Sequence, residues 1–273
     1  MGGGVILLLV LLTITLIGCD GLTNPDRSPF LSEEVVLSPL GSRLFLAFSE
    51  VNPEACAFAL YRILISKTDD EIRNIESSRR NLAWALDRMV FDHRSFRYAM
   101  LSLARLSLVE TEGYIANNTT GLFIDRYPIL LPGTEVDLSS RIGILKELSV
   151  DARYNQLIIK SLHRALGVGH FHRTGGAEKQ GLKTLKDYNP TYNEVVDYFT
   201  TCLDMLLKLA NNQQDIDAIS RLLTDNASSY YLQGLDQFLI RGLEEVAPIR
   251  NFIWEEMNDA LASLIKYSAP KRQ

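Results

Sequence analysis

From Leu37 onward apolar residues recur at spacings of three and four, and the strict alternation of a half-buried strand is scarce. A chain with that rhythm must bury one stripe of each helix against other helices, so the expected fold is all-α. Start signals sharpen the reading. Asn52-Pro53-Glu54 supplies an N-cap, a proline whose missing N–H costs nothing in a first turn, and an acid near the positive end of the helix dipole. A helix is predicted from there to about Ser66. In SSRRNLAWALDRMVF, residues 77–91, Leu82, Ala85, Leu86 and Met89 form one stripe with Trp84 near its edge. Asp92 is the expected cap of the next helix, whose Phe96, Met100, Leu103 and Leu106 line a buried face. Further helices are predicted near 119–131, 138–149, 151–167, 191–210, 213–224, 226–242 and 248–267.

Connections between these helices are mostly short, which favours antiparallel neighbours. Pairs arriving roughly every 35–45 residues suggest antiparallel helix pairs stacked as a HEAT-like α-solenoid rather than a compact four-helix bundle. No repeat is visible letter by letter.

The N-terminus follows different rules. Residues 5–17, VILLLVLLTITLI, are uncharged and apolar but shorter than the roughly 20 residues a bilayer-spanning helix needs. Their length is that of a signal-peptide core, although MGGG carries none of the basic residues usual before one. Leu16-Ile17-Gly18-Cys19 resembles the lipobox of bacterial lipoproteins, which implies a lipid on Cys19 and a bacterial membrane location. The alternative is cytoplasmic. The expected division is a signal-peptide-like segment at 1–18, an extended or irregular tether at 19–36 with two prolines, and a helical-repeat domain at 37–273.

With 273 residues, 47% of them hydrophobic, the chain has material for one large domain or two ordinary ones. Its 28 Lys and Arg are scattered among 33 Asp and Glu, for a net charge of -5. No long basic run stands out, which argues against nucleic acid as the main partner. Cys19, Cys56 and Cys202 are too few and too far apart for a disulfide framework or zinc ribbon. Cys56 and Cys202 fall in apolar helical patterns and are expected to be buried free thiols.

Patterns that carry chemistry are few. In GHFHRTGGAEKQGLKT, residues 169–184, Gly176 and Gly181 have the gap of a phosphate-binding loop. Lys183-Thr184 arrives one position late, after Leu182, and a helical pattern rather than a strand precedes it. His170 and His172, with His163 on the preceding helix, lack a further ligand at a usual spacing, so loop histidines without a metal are expected. There is no G-x-S-x-G or H-E-x-x-H pattern. Glu33-Glu34, Asp69-Asp70-Glu71, Glu244-Glu245 and Glu255-Glu256 read as helix starts or solvated faces, and Asn117-Asn118-Thr119-Thr120 as a turn with an N-cap. The expectation is a protein that is not an enzyme and holds no cofactor. An ordered loop at 169–181 is its best contact site, with His170, His172, Arg173, Glu178, Lys179 and Gln180 as contacts.

From about Pro39 to about Ala210 the chain resembles the helical-repeat region of large bacterial STAND-type NTPases, some associated with antiphage defence. The segments that carry the resemblance are Asn117-Asn118-Thr119-Thr120-Gly121, Leu131-Pro132-Gly133-Thr134-Glu135 and Gly169-His170-Phe171 with Gly176-Ala177-Glu178-Lys179-Gln180-Gly181. It implies an α-helical scaffold or sensor part without catalytic residues, binding a protein or peptide partner, such as an NTPase-containing protein. The NTPase module has no counterpart in this sequence, and the lipobox is a second departure. A lipid-anchored bacterial envelope protein with a structural role is the competing expectation.

Overall fold

A computed structural model of the chain describes residues 28–168, 179–180, 183–247, 258–259, 262 and 266. Among them are thirteen α-helices, two 3-10 turns and a single two-residue β ladder, so the fold is all-α. The helices are α1 Glu33–Val36, α2 Pro39–Val51, α3 Pro53–Ile65, α4 Asp69–Arg73, α5 Glu76–Met89, α6 His93–Ser107 and α7 Thr119–Ile124. They continue with α8 Leu138–Leu148, α9 Asn155–Leu166, α10 Tyr192–Leu209, α11 Gln213–Asp225, α12 Ala227–Leu232 and α13 Asp236–Val246.

The caps act where the sequence puts them. Asn52 accepts a hydrogen bond from Ala55 N, and Asp92 accepts one from Arg94 N. Asn118 accepts from Gly121 N at the start of α7. The acids at 69–71 open α4, where Thr68 and Glu71 form a capping box.

Two predicted helices are cut short. The segment 119–131 leaves the helix at Ile124, and Pro128 and Pro132 prevent its resumption. Leu131 and Gly133 then turn the chain with φ of 50° and 66°. The segment 226–242 breaks at Gly234, φ 74°, where Leu235 N reaches Tyr230 O at 2.8 Å and Gly234 N reaches Tyr231 O at 3.0 Å. That bond pattern is a glycine-terminated helix end followed by a fresh start. The helix predicted at 248–267 lies outside the described residues. The described end of the expected tether, residues 28–36, is helical rather than extended. Pro29–Leu31 form a 3-10 turn and Glu33–Val36 form α1, because Leu31 and Val36 are buried there.

Packing divides the chain into two compact units. Of the described residues, unit 1 takes those up to Phe123 with Gly133–Val136 and those of 179–186; unit 2 takes Ile124–Pro132, those of 137–168 and those from Asp187 on.

In unit 1, α2 packs on α3 and α5, and α6 packs on α3 and α5. The predicted stripe of Leu82, Ala85, Leu86 and Met89 is wholly buried, as are Met100, Leu103 and Leu106. Each such side chain contributes about 1.5–3 kcal/mol relative to exposure. Pairings along the helices give their direction. Ser78 Oγ donates to Leu37 O, Asn81 Nδ2 to Ser42 Oγ, and Arg88 pairs with Glu50, so α2 and α5 run the same way. Phe58 meets Tyr98, and Arg105 donates to Lys67 O, so α3 and α6 do too.

Unit 2 is organised around α10, which touches α8, α9, α11 and α13. Phe199, Tyr230 and Phe238 form a ring cluster with centroids 5.2–5.9 Å apart. Tyr198 and Tyr230 spend their hydroxyls on the carbonyls of Tyr127 and Leu166.

Candidate docking face on α3 and α6

Once the core stripes of α3 and α6 are turned inward, their remaining faces carry an unusual set of side chains. From α3 come Glu54, Phe58, Tyr61, Arg62 and Ile65; from α6 come Arg94, Arg97 and Tyr98. The arginines, Glu54 and Ile65 are exposed, and the three aromatic rings are half-buried. Phe58 and Tyr98 meet edge to face at 5.0 Å, and Tyr61 lies 5.3 Å from Tyr98. Arg62 Cζ sits 5.7 Å over the Phe58 ring, and Arg97 Cζ sits 5.3 Å over Tyr98. Each ring of the central pair therefore carries one guanidinium. A guanidinium laid on a ring face has part of its side-chain freedom already removed.

Beside this stack lies a concavity of about 680 Å³. It is lined by Val51, Asn52, Pro53, Glu54, Ala55 and Phe58 from the α2–α3 corner and by Arg94 and Tyr98 from α6. Asn52 is the only residue between α2 and α3.

At the rim, Asp92 Oδ1, His93 Nδ1 and Glu135 Oε1 lie within 4.8 Å of one another and could in principle hold a metal ion. Their bonds describe a clamp instead. Arg94 places Nε and Nη2 on the Asp92 carboxylate at 3.1 and 3.0 Å, with its own N–H at 2.9 Å. Glu135 Oε1 takes the His93 backbone N–H at 3.2 Å and lies 2.9 Å from Nδ1. Thr134 Oγ1 and Glu135 N both donate to Phe91 O. A cation there would sit against a guanidinium, so the cluster reads as the device that pins 133–136 to the start of α6. Hydrogen bonding to Asp92 raises the Arg94 pKa further above its ordinary value.

Unit 2 has a shallower groove of about 530 Å³, lined by His163, Gln214, Asp217, Arg221, Leu222 and Asp225. Burial pushes the His163 pKa down. His170 and His172 lie outside the described residues, as do Cys19, Arg173 and Glu178. Of the expected contact loop, Lys179 and Gln180 are described, as a strand paired antiparallel with Lys183–Thr184. Cys56 and Cys202 are buried free thiols; burial pushes Cys56 up to about 12 and Cys202 higher still. Neither is a thiolate near neutral pH.

Sequence reasoning placed the site on the glycine-rich loop and passed over α3 and α6. A signal was present: Phe58 with Arg62 and Arg94 with Tyr98 are i,i+4 pairs on the side of each helix opposite its core stripe. No protein-family model, curated protein or solved structure matches the chain.

Proposed function

We propose that the chain is a non-catalytic α-helical scaffold or sensor module that binds a protein or peptide partner on the α3/α6 face of unit 1. The observation that carries this is the Arg62–Phe58–Tyr98–Arg97 stack beside a side-chain-sized concavity. Arginine and tyrosine held rigidly at the edge of a pocket are the residues that anchor protein interfaces. The absence of catalytic work fits the spent groups of the site, where Asp92 and Glu135 are engaged in capping and clamping.

The helix directions support a HEAT-like stacking within the units. In an up-down bundle neighbouring helices alternate, whereas α2 runs with α5 and α3 with α6. Side-chain hydrogen bonds between successive layers recur at sequence separations of 37 to 43 residues, as at Ser42–Asn81, Asp125–Arg164 and Asp204–Arg241. That stride is close to the roughly 40–47 residues of HEAT and armadillo repeats. Stacks of this kind present the second helices of successive pairs as one binding surface, and α3 and α6 are such second helices.

A photo-cross-linking amino acid at Phe58, with exposed Lys146 as control position, tests the reading in the producing bacterium. An adduct of defined mass at 58 and none at 146 is the expected result; equal adducts, or none at either, would remove it. Leu16-Ile17-Gly18-Cys19 supports a tether to a bacterial membrane through lipidated Cys19. No helix among the described residues is long and apolar enough to cross a membrane. Labelled palmitate should enter the wild type and not Cys19→Ala; an unlabelled wild type would favour a cytoplasmic module whose partner is an NTPase-containing protein.

A further inference from the structure

We infer that α2 pairs antiparallel with α2 of a second copy of this chain, through an outward apolar stripe of Leu40, Leu44, Ala47 and Val51. The stripe lies on a different helix from the docking face on α3 and α6, and neither reading needs the other. They meet at Val51, which also lines the concavity.

Apolar residues occupy two sides of α2. Gly41, Phe45 and Phe48 are buried where the helix packs on α3 and α5 of its own unit. Leu40, Leu44, Ala47 and Val51 follow at spacings of four, three and four, which keeps a second line of the helix turned toward one neighbour. That line spans about 16 Å. Its ends are open, with Leu40 70% and Val51 55% exposed, and its middle, Leu44 and Ala47, is half-buried. Single exposed leucines are ordinary, whereas an aligned set on a helix that already has a core stripe is a seam.

The flanking charges select what lies along it. Arg43 and Glu50 are exposed and stand two turns apart on the same side of the stripe. The stripe is centred between residues 45 and 46, and a two-fold rotation there lays Leu40 against Val51 and Leu44 against Ala47, each contact made twice. The same rotation brings Arg43 of each copy beside Glu50 of the other. In a parallel pair Arg43 lies level with Arg43, and no opposite charge on that side comes level with it. Arg43 makes no hydrogen bond or ion pair among the described residues. Glu50 is held by Arg88 of its own chain, and the two oxygens of a carboxylate have room for a second guanidinium.

A lipid surface, or the uncharged segment 5–17, would cover the apolar line but offer Arg43 no carboxylate side chain. A copy of α2 supplies both the stripe and the complementary charges. One helix pair is less than the roughly 1,200–2,000 Å² of a stable interface, so the dimer should come apart on dilution and is best trapped covalently in the cell.

The test places a photo-cross-linking amino acid at Leu40 of the full-length protein in the producing bacterium, with two differently tagged copies expressed together. The expected adduct has twice the mass of the chain, carries both tags, and joins position 40 of one copy to the segment around Val51 of the other. Arg43→Glu sets like charges against each other and should cut its yield roughly fivefold or more, while Arg43→Lys should keep most of it. Arg43 is exposed, so both variants should keep the wild-type circular dichroism and melting temperature. An adduct of single-chain mass linking position 40 to residues 5–17 would overturn the inference, as would an adduct with a different protein or none at all. A link from position 40 to position 40 of the other copy, or equal yields from wild type and Arg43→Glu, would overturn the antiparallel pairing. Cross-linking at Phe58 is read independently, so a failure at Leu40 leaves the docking face standing and a failure at Phe58 leaves this seam.

Discussion

Arg79 in unit 1 and Arg141 in unit 2 are both shut off from solvent, at 2% and 0% exposure, and their surroundings differ in kind. Arg79 donates through Nη2 to Leu106 O at 2.7 Å and pairs with Glu110 at 3.5 Å. Glu110 in turn accepts from the Thr119 hydroxyl and from the N–H groups of Thr120 and Glu112. Arg141 donates through Nη1 to the carbonyls of Arg126 and Pro128, with the Tyr188 ring 6.0 Å from its Cζ. Burial lowers both guanidinium pKa values, yet both groups remain charged at any pH where a protein folds. The lesson is about what sits against each charge. Unit 1 pairs its buried cation directly with a hydrogen-bonded carboxylate, and unit 2 holds its own on two carbonyls, with Asp137 among the charges acting on it.

The largest test of the contrast is Arg141→Met. It strands the carbonyls of Arg126 and Pro128, which hold the broken end of the 119–131 segment, and should cost about 2–4 kcal/mol. Urea denaturation followed by near-ultraviolet circular dichroism reads it. Arg79→Met should cost less, about 1–2 kcal/mol, because Glu110 keeps its three other donors when it loses Arg79, while Leu106 O and the Thr119 hydroxyl lose the Nη2 donor. Equal losses would show that the carboxylate adds nothing the carbonyls lack.

Acid sharpens the comparison further. Burial pushes the Glu110 carboxyl up, but hydrogen bonds from Thr119, Glu112 and Thr120 and the Arg79 charge pull it below its ordinary value. A depressed carboxylate pKa stabilises the fold above the unfolded value and loses that contribution as pH falls through the folded one. The denaturation midpoint of the wild type should therefore drop from just below the ordinary carboxylate pKa of 4.5 downward. Glu110→Gln should flatten part of that drop. Identical acid limbs for wild type and Glu110→Gln would sink the assignment.

The smallest effects calibrate the two units separately. Gly234→Ala forces a side chain into φ 74° at the α12–α13 break and should cost about 1–2 kcal/mol. Asn52→Ala removes the cap of α3 for about 1 kcal/mol. A single transition shifted by both would show that the units unfold together; two transitions, each moved by one variant, would show that they do not.

Periodicity made the all-α class and the buried stripes legible, and the caps at Asn52 and Asp92 could be read letter by letter, while the run Asn117-Asn118-Thr119-Thr120 gave a cap without saying which residue. The break at Gly234 was less so, since a lone glycine in an apolar pattern is tolerated in helices until its neighbours supply the closing hydrogen bonds. The two units were hidden because 133–136 returns to unit 1 through contacts with Phe91 and His93 that no local pattern encodes. The face on α3 and α6 was written in the sequence as exposed Arg and aromatic pairs. Its significance depends on the two helices lying side by side in register, which is a tertiary fact.

The recurring separation of hydrogen-bonded partners also bears on how unit 1 assembles. Ser42 waits for Asn81 and Lys67 for Arg105, so a helix pair can close on its neighbour as soon as about forty further residues exist. Loop-closure entropy at that separation is modest, and growth can start from any adjacent pair. Under the stacking proposed above, unit 1 pulled from its ends should yield in successive steps rather than in one rupture, each releasing one hairpin's length of chain.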